Sequence, residues 1–238
     1  MIVNDEKNNI KVIYIKIPKT GGTTISSNIW RKYNMSFKGK PLIRFNRTNE
    51  HDIVLNLNIS KRINKNGWHK GLGWHVAYSE IEKYLKDTNK SIQQFIKFSV
   101  IREPVSRFIS QYRFISPSKS KNDPLIKSID YYFDCVSNND ERLTKRDIMF
   151  GRKQTYWLNN ENGLIPEDMM LFTTKTMNDK KTIDYLSDIT KFKFNTENRI
   201  HVSDKRKKIN ISPELRSKIE NYFSEDYELY EKTKNSLK

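Results

Sequence analysis

The sequence lacks several features that would mark particular classes of protein. Its single cysteine, Cys135, excludes an internal disulfide and a cysteine-based metal site, and the apolar helical pattern around it favours a thiol in the core. No run of eighteen apolar residues is present, and the first ten residues contain no apolar stretch of signal-peptide length. We therefore expect a soluble, cytoplasmic protein without an integral membrane segment. Histidine and aspartate do not cluster at metal-ligand spacing either, so no metal is expected.

Apolar residues as a whole are scarce, since only 36% of the chain is hydrophobic. Twelve Phe, twelve Tyr and four Trp compensate, because each large aromatic side chain buries a great deal of surface. A disordered chain would lack these residues. With 238 residues, no internal repeat and no recognisable linker, the sequence predicts one folded domain spanning residues 1–238.

The charge is strongly unbalanced, with 44 Lys and Arg against 28 Asp and Glu, a net charge of +16. Such a surplus favours an anionic partner: a nucleic acid, an anionic membrane, an acidic polysaccharide or a multiply phosphorylated cofactor. A solvated, lysine-rich surface without any such partner is the alternative. Charge alone does not decide between them.

A strand followed by a turn and a helix occurs twice. Residues 11–17 predict a buried strand, residues 18–24 a glycine-rich turn, and residues 25–33 a helix. Residues 95–101 predict a second strand, and Pro104 opens a helix after it. This repetition indicates an α/β fold with a parallel sheet. Further helices are expected at 79–87, 124–137 and 178–188, a helix or helix pair from Pro213 to about 233, and a strand at 169–173.

The first turn has the composition of an anion-binding loop. Two glycines, Gly21 and Gly22, let the backbone approach a ligand, and the amides that follow point from the start of a helix. Lys19 adds a positive charge, and hydroxyl donors are available from Thr20, Thr23 and Thr24. The loop of nucleoside triphosphatases has its lysine after the last glycine, whereas here the lysine precedes the glycines. A glycine turn without a ligand is the alternative.

The second strand–turn–helix offers another anion site. Arg102 ends the strand, where open parallel sheets bind their ligands, and Ser110 lies about two turns into the helix that Pro104 opens. A guanidinium and a hydroxyl placed in this way can converge on one phosphate. Glu103 can hold an arginine or a backbone amide in place. An ordinary amphipathic helix with surface arginines is the alternative interpretation.

Together the two segments resemble a known family. The string PKTGGTT resembles the 5′-phosphosulfate loop of sulfotransferases that use 3′-phosphoadenosine 5′-phosphosulfate (PAPS), and IREPVSRFISQY resembles their 3′-phosphate motif. The branch that it resembles contains the uronosyl 2-O-sulfotransferases and related carbohydrate sulfotransferases. The resemblance implies a P-loop-like sulfotransferase fold, in which helices flank a central parallel sheet. It also implies PAPS as donor, 3′-phosphoadenosine 5′-phosphate (PAP) as product, and in-line transfer to a carbohydrate hydroxyl without a metal.

The resemblance also assigns roles to residues. Lys19 would contact the 5′-phosphosulfate and its bridging oxygen and act as an electrostatic catalyst. Arg102 and Ser110 would bind the 3′-phosphate. The phosphosulfate would lie in the loop formed by Lys19, Thr20, Gly21, Gly22, Thr23 and Thr24.

The candidate general base is His75, in the segment GWHVAY. This segment resembles the base-bearing segment of the 2-O-sulfotransferases, which often contains a second histidine where this chain has Gly73. His69, six residues before His75, is a possible substitute. Weaker likenesses extend over Gln154–Leu158, near the adenine side of the pocket in the family, and over the basic stretch His201–Arg206.

Three alternatives remain open at this stage. A nucleotide kinase or another phosphoryl transferase predicts a Gly-Lys-Ser/Thr loop and an acidic metal ligand, and neither is visible. A basic nucleic-acid-binding module predicts a recognition motif, which is also not visible, so no nucleic-acid partner is expected. A catalytically inactive PAP-binding protein would have the same loops. The basic balance suits an acidic polysaccharide as acceptor, but a neutral sugar, a small molecule or a tyrosyl peptide is also compatible with the sequence.

Overall fold

The computed structural model describes residues 1–5, 8–32, 75–116, 123, 125, 127–194 and 209–236. Four strands form one sheet: β1 (Ile2–Asp5), β2 (Ile10–Ile15), β3 (Ile96–Ile101) and β4 (Met169–Thr173). The helices of these ranges are α1 (Gly22–Lys32), α2 (Tyr78–Asp87), α3 (Pro104–Ile115), α4 (Ile129–Ser137), α5 (Lys145–Gly151), α6 (Gln154–Leu158), α7 (Lys180–Thr190), α8 (Pro213–Tyr222) and α9 (Ser224–Ser236).

The sheet has the strand order β1-β2-β3-β4. Strands β2, β3 and β4 are parallel, whereas β1 pairs with β2 in the antiparallel direction. The predicted α/β fold, with a largely parallel sheet between helices, is therefore confirmed, and the antiparallel edge strand is an addition that the sequence did not predict. The register places Ile15 opposite Ser99, so β2 and β3 end at the same edge of the sheet.

Both faces of the sheet are covered, which explains why its strands are almost continuously apolar. Alternate residues of β2 enter opposite cores: Ile13 and Ile15 pack under α2 to α6 and α8, and Val12 and Tyr14 pack under α1 and α7. Cys135 is 3% exposed and belongs to the first core, as predicted. None of the helices in the described ranges is long and apolar enough to cross a membrane.

Several predicted boundaries shift, each for a local reason. The strand predicted at 11–17 ends at Ile15, and α1 begins at Gly22 rather than at residue 25. The helix predicted at 124–137 begins at Ile129, because Ser128 accepts the amide of Tyr131 and caps it. The C-terminal helix is a pair separated at Phe223. The short helices α5 and α6 were not predicted.

One fully buried arginine ties the elements around the first turn together. Arg107 of α3 is 1% exposed. Its Nε donates to the carbonyl oxygen of Pro18 at 3.3 Å, and its Nη2 donates to the carbonyl oxygens of Phe150 at 2.9 Å and Arg152 at 2.6 Å. Its Nη1 lies 3.9 Å from the carboxylate of Asp226 in α9. A single guanidinium thus fixes the glycine-rich turn, the end of α5 and the C-terminal helix relative to one another.

Asp226 extends this network toward the second turn. Its carboxylate accepts the backbone amides of Gln154 at 2.7 Å and Thr155 at 3.0 Å, at the start of α6. The Gln154 side chain in turn accepts the backbone amide of Arg102 at 2.9 Å and donates to the Arg102 carbonyl at 2.8 Å. Burial raises the pKa of Asp226, and the nearby Arg107 opposes that rise. The backbone of Arg102 is therefore held by groups that lie far away in the sequence.

Replacing Asp226 by Ala is expected to lower the free energy of unfolding by about 3–5 kcal/mol, because Arg107 and two backbone amides would remain buried without their carboxylate. Glu225→Ala is the matched control. Glu225 is adjacent, its side chain is 60% exposed, and its ion pair with Lys153 is worth at most about 1 kcal/mol. Urea unfolding of both variants measures the difference. Equal losses in the two variants would show that the buried network is not what stabilises this region.

Candidate active site

The glycine-rich turn between β2 and α1 has two residues in the left-handed backbone region. Lys19 has φ +68° and Gly21 has φ +78°. Glycine adopts this conformation freely, whereas for a residue with a side chain it costs about 1–2 kcal/mol. Strain of this kind persists where the surroundings enforce it, and such positions cluster at functional sites. The Thr20 hydroxyl stabilises the turn by donating to the Ile17 carbonyl oxygen at 3.1 Å.

Gly22 begins α1 and lies directly against two side chains of β2 and its C-terminal extension. A Cβ atom at Gly22 would be 2.8 Å from Lys16 Cγ and 2.8 Å from the hydroxyl oxygen of Tyr14. Tyr14 is itself stacked on Phe98, with ring centroids 4.9 Å apart. Glycine is therefore required here, because the start of α1 lies too close to these two side chains for a Cβ atom to fit. The amides in the first turn of α1 belong to the predicted anion-binding loop. Thr23 and Thr24 lie in that turn and are half-buried.

Lys16 is a component of the site that the sequence analysis missed. Its side chain is buried beneath Gly22, and burial lowers its pKa to about 8. Lys19 is close by, and burial together with the charge of Arg102 lowers its pKa to about 8 as well. The signal in the sequence was a lysine at the C-terminal end of an otherwise apolar strand, directly before a glycine-rich turn.

The second turn meets the first. Arg102 follows β3, and its Nη1 donates to the carbonyl oxygen of Lys19 at 3.3 Å. Glu103 caps α3, accepting the amides of Val105 at 3.3 Å and Ser106 at 2.7 Å, which is one of the two roles that its position suggested. Burial lowers the pKa of Arg102, although Glu103 opposes that change.

Ser110 lies on α3 and is partly exposed. Ser106 and Arg113 are spaced four residues before it and three after it, so the three share one face of the helix. The positive charge of Arg113, which the sequence analysis did not select, also lowers the pKa of Arg102. Ser110 thus shares a helical face with a cation that influences Arg102, and its role at the 3′-phosphate stays a prediction.

His75 precedes α2, and its ring contacts the backbone just before the glycine-rich turn. Its Nδ1 lies 2.7 Å from the Lys16 carbonyl oxygen. A carbonyl can only accept, so Nδ1 carries the hydrogen and Nε2 of the neutral ring has the free lone pair. Burial, with a smaller contribution from Lys16, lowers the pKa of His75 to about 3. The rings of Phe150 and Trp157 lie beside it, with centroids 5.9 Å and 6.0 Å away.

The two turns, which follow β2 and β3, therefore lie at one edge of the sheet together with His75. Residues 1–233 match the sequence model of the Sulfotransferase family. The chain belongs to the sulfotransferase family. No curated protein and no solved structure gave a significant match.

Membership of this family gives the geometry a chemical meaning. Sulfotransferases move a sulfuryl group, and the family generally takes it from PAPS, which is multiply anionic. The described site fits such a donor: a helix N-terminus, two lysines and Arg102 surround a turn whose glycine lets the backbone come close. Of the predicted residues, six belong to this turn and the start of α1: Lys19, Thr20, Gly21, Gly22, Thr23 and Thr24. Arg102 donates to the Lys19 carbonyl, His75 contacts the Lys16 carbonyl, and Ser110 lies on α3. His69, Gly73 and the stretch 201–206 lie outside the described residues.

Replacing Gly22 by Ala is expected to destabilise this sulfotransferase by about 1–3 kcal/mol and to weaken PAP binding, because the new methyl group must displace the buried side chains of Tyr14 and Lys16. Gly163→Ala is the control, since a Cβ there meets no atom within 4 Å. It should cost only its left-handed backbone conformation and leave the affinity for PAP unchanged. Calorimetric titration and urea unfolding measure both quantities. A Gly22→Ala variant with wild-type affinity for PAP would contradict the close-approach role.

The stability of the fold is expected to depend on the protonation of His75. Below about pH 6.5 the unfolded chain protonates this residue, but the folded chain does not until about pH 3, so stability falls as the pH falls through that window. His75→Gln retains a donor for the Lys16 carbonyl and removes the titration. The variant should therefore lose less stability than the wild type between pH 7.5 and pH 5, by at most about 1.4 kcal/mol per pH unit.

Urea unfolding at several pH values tests this prediction. The same pH dependence in the wild type and in His75→Gln would mean that His75 titrates normally in the folded protein.

Proposed function

We propose that this sulfotransferase transfers a sulfuryl group from PAPS to a hydroxyl group of a carbohydrate, with His75 as general base and Lys19 as electrostatic catalyst. The observation that carries the proposal is the hydrogen bond of 3.3 Å from Arg102 Nη1 to the Lys19 carbonyl. It joins two basic turns that follow adjacent parallel strands, β2 and β3. PAPS is anionic at two places, the 5′-phosphosulfate and the 3′-phosphate, and the two turns offer one basic site for each.

The first turn is suited to the phosphosulfate. When bound, PAPS supplies a sulfuryl group linked through a bridging oxygen to a phosphate that can leave. The amides at the start of α1 and the Lys19 ammonium are donors for that phosphate, and a preorganised cation stabilises the negative charge that develops on it. Arg102 and Ser110 are then the donors for the 3′-phosphate. Arg113, on the same helical face as Ser110, adds positive charge there.

His75 is suited to accept the proton of the acceptor hydroxyl. As the acceptor oxygen bonds to sulfur, the sulfur–bridging oxygen bond breaks and its electron pair remains on the departing phosphate. The hydroxyl proton then goes to His75 Nε2, whose lone pair is free because Nδ1 donates to Lys16. In the free protein the pKa of His75 is about 3, which keeps the ring neutral. The negative charge of a bound donor counteracts Lys16 and makes the imidazole a stronger base.

A carbohydrate acceptor agrees with the surroundings of His75. The net charge of +16 attracts an acidic polysaccharide. Tyr156 is 39% exposed and packs against Trp157, which lies beside His75, and its ring offers a flat apolar surface to which the carbon-bound face of a sugar ring can pack. Arg152 lies over the ring of Tyr156, at 4.1 Å from its centroid, so that an apolar surface and a positive charge occur together.

The proposal predicts that PAP stabilises the protein more than AMP does, because AMP lacks the 3′-phosphate. PAP at one hundred times its dissociation constant adds about 2.7 kcal/mol, which corresponds to a rise in Tm of about 5–10 °C for a chain of this size. Arg102→Ala should abolish the advantage of PAP over AMP. Arg216→Ala is the matched control, since Arg216 lies on α8 and pairs with Glu220 on the surface, and it should respond like the wild type.

The same thermal-shift experiment discriminates the alternatives. Equal stabilisation by PAP and AMP would refute the 3′-phosphate site and the proposed donor. Stronger stabilisation by ATP with Mg²⁺ than by PAP would favour a phosphoryl transferase instead. Binding of an oligonucleotide that weakens steeply with salt, without any effect of PAP, would favour a nucleic-acid-binding module.

A further inference from the structure

The Lys19 side chain makes a contact that the proposed donor site alone does not explain. Its Nζ lies over the ring of Phe114, 4.1 Å from the ring centroid. Phe114 belongs to the last turn of α3 and is 47% exposed, so the ring is not there to fill the core. A cation above an aromatic face is attracted by the negative potential of that face, and the attraction disappears when the cation loses its charge.

The surroundings of Lys19 otherwise oppose its charge. Arg102 lies beside it after β3, and Lys16 and His75 approach from β2 and from the start of α2. The acidic group nearest in the sequence to Arg102 is Glu103, whose carboxylate accepts the first amides of α3. Burial and the charge of Arg102 both favour the neutral amine of Lys19. Within the described part of the chain, the Phe114 ring is a contact that favours the ammonium.

The Phe114 ring also packs against Phe150, whose ring in turn contacts His75, the proposed base. Phe150 lies against the Phe114 ring, with centroids 5.4 Å apart, and Phe150 also meets the His75 ring, with centroids 5.9 Å apart. Phe150 is buried, and Arg107 holds its carbonyl oxygen. The ring of Phe114 therefore lies on a fixed surface that extends between Lys19 and His75.

We propose that Phe114 is a positioning residue for Lys19: its exposed ring holds the ammonium group in its charged form at the side of the site that faces His75. The role rests on the proposed function, because it matters for catalysis only if Lys19 stabilises the leaving phosphate. Phe114 itself contacts neither the transferred group nor the base in this arrangement, and it acts through Lys19.

The proposal predicts a change in the titration of Lys19 in the free protein. Without the ring, the pKa of Lys19, which is about 8 in the wild type, should fall by about half a unit in Phe114→Leu. Phe114→Tyr keeps an aromatic face and should keep the wild-type value. The measurement is the rate at which acetic anhydride labels Lys19 at different pH values, read by mass spectrometry of the Lys19 peptide. Only the neutral amine reacts, so the pKa sets the midpoint, whereas accessibility sets only the plateau.

Tyr156→Leu is the matched control, because it removes another exposed ring that a cation covers, without touching Lys19. Its Lys19 midpoint should equal that of the wild type. An unchanged midpoint in Phe114→Leu, or an equal fall in Phe114→Tyr and Phe114→Leu, would overturn the positioning role. Labelling of the wild type with saturating PAP is a separate arm. If PAP fails to protect Lys19, the proposed donor site is wrong, whatever the Phe114 variants show.

Discussion

The buried guanidinium of Arg107 is the interaction on which the site depends. Its position is tightly constrained, because it donates to the carbonyl oxygens of Pro18, Phe150 and Arg152 and also lies close to the Asp226 carboxylate. Carbonyl groups that point inward at a loop are costly to bury without a donor, and one planar group with five N–H donors satisfies three of them. This group therefore fixes the glycine-rich turn. Arg107 itself lies on α3, the helix that directly follows the second turn.

This arrangement makes the two basic turns parts of one rigid unit. Asp226 positions Gln154, and Gln154 fixes both backbone groups of Arg102, whose side chain reaches back to Lys19. Burial disfavours the charged forms of three cations in this unit, Lys16, Lys19 and Arg102. Under the proposed function, a bound anionic donor would favour these charged forms again, because a nearby negative charge raises the pKa of a basic group.

Local signals predicted the fold well and the connections poorly. The strand at residues 169–173 and the helix that Pro104 opens were readable because a short apolar run and an N-terminal proline act within a few residues. The contact between Arg107 and Asp226 spans much of the chain, and no local pattern reveals it. Lys16 was missed because a lysine at the end of a strand is usually solvated, and only the close approach of Gly22 explains why it is buried. The motifs identified the two basic turns, whereas packing decided which charges border on them, and their anion-binding role stays a prediction.

A base and a cation in the same basic, partly buried site have opposite requirements. In the proposed mechanism His75 is neutral and Lys19 is charged, yet burial favours the neutral form of both, and the charge of Lys19 further lowers the pKa of His75. A general change in polarity cannot separate them, because it would move both pKa values in the same direction. A contact specific to one group can, and the ring face beneath the Lys19 ammonium is such a contact. His75 meets rings in edge-on arrangements and is fixed instead through Nδ1 by the Lys16 carbonyl. Burial therefore keeps His75 neutral even though its hydrogen bond to the Lys16 carbonyl favours the charged ring, whereas the Phe114 ring favours the charged form of Lys19.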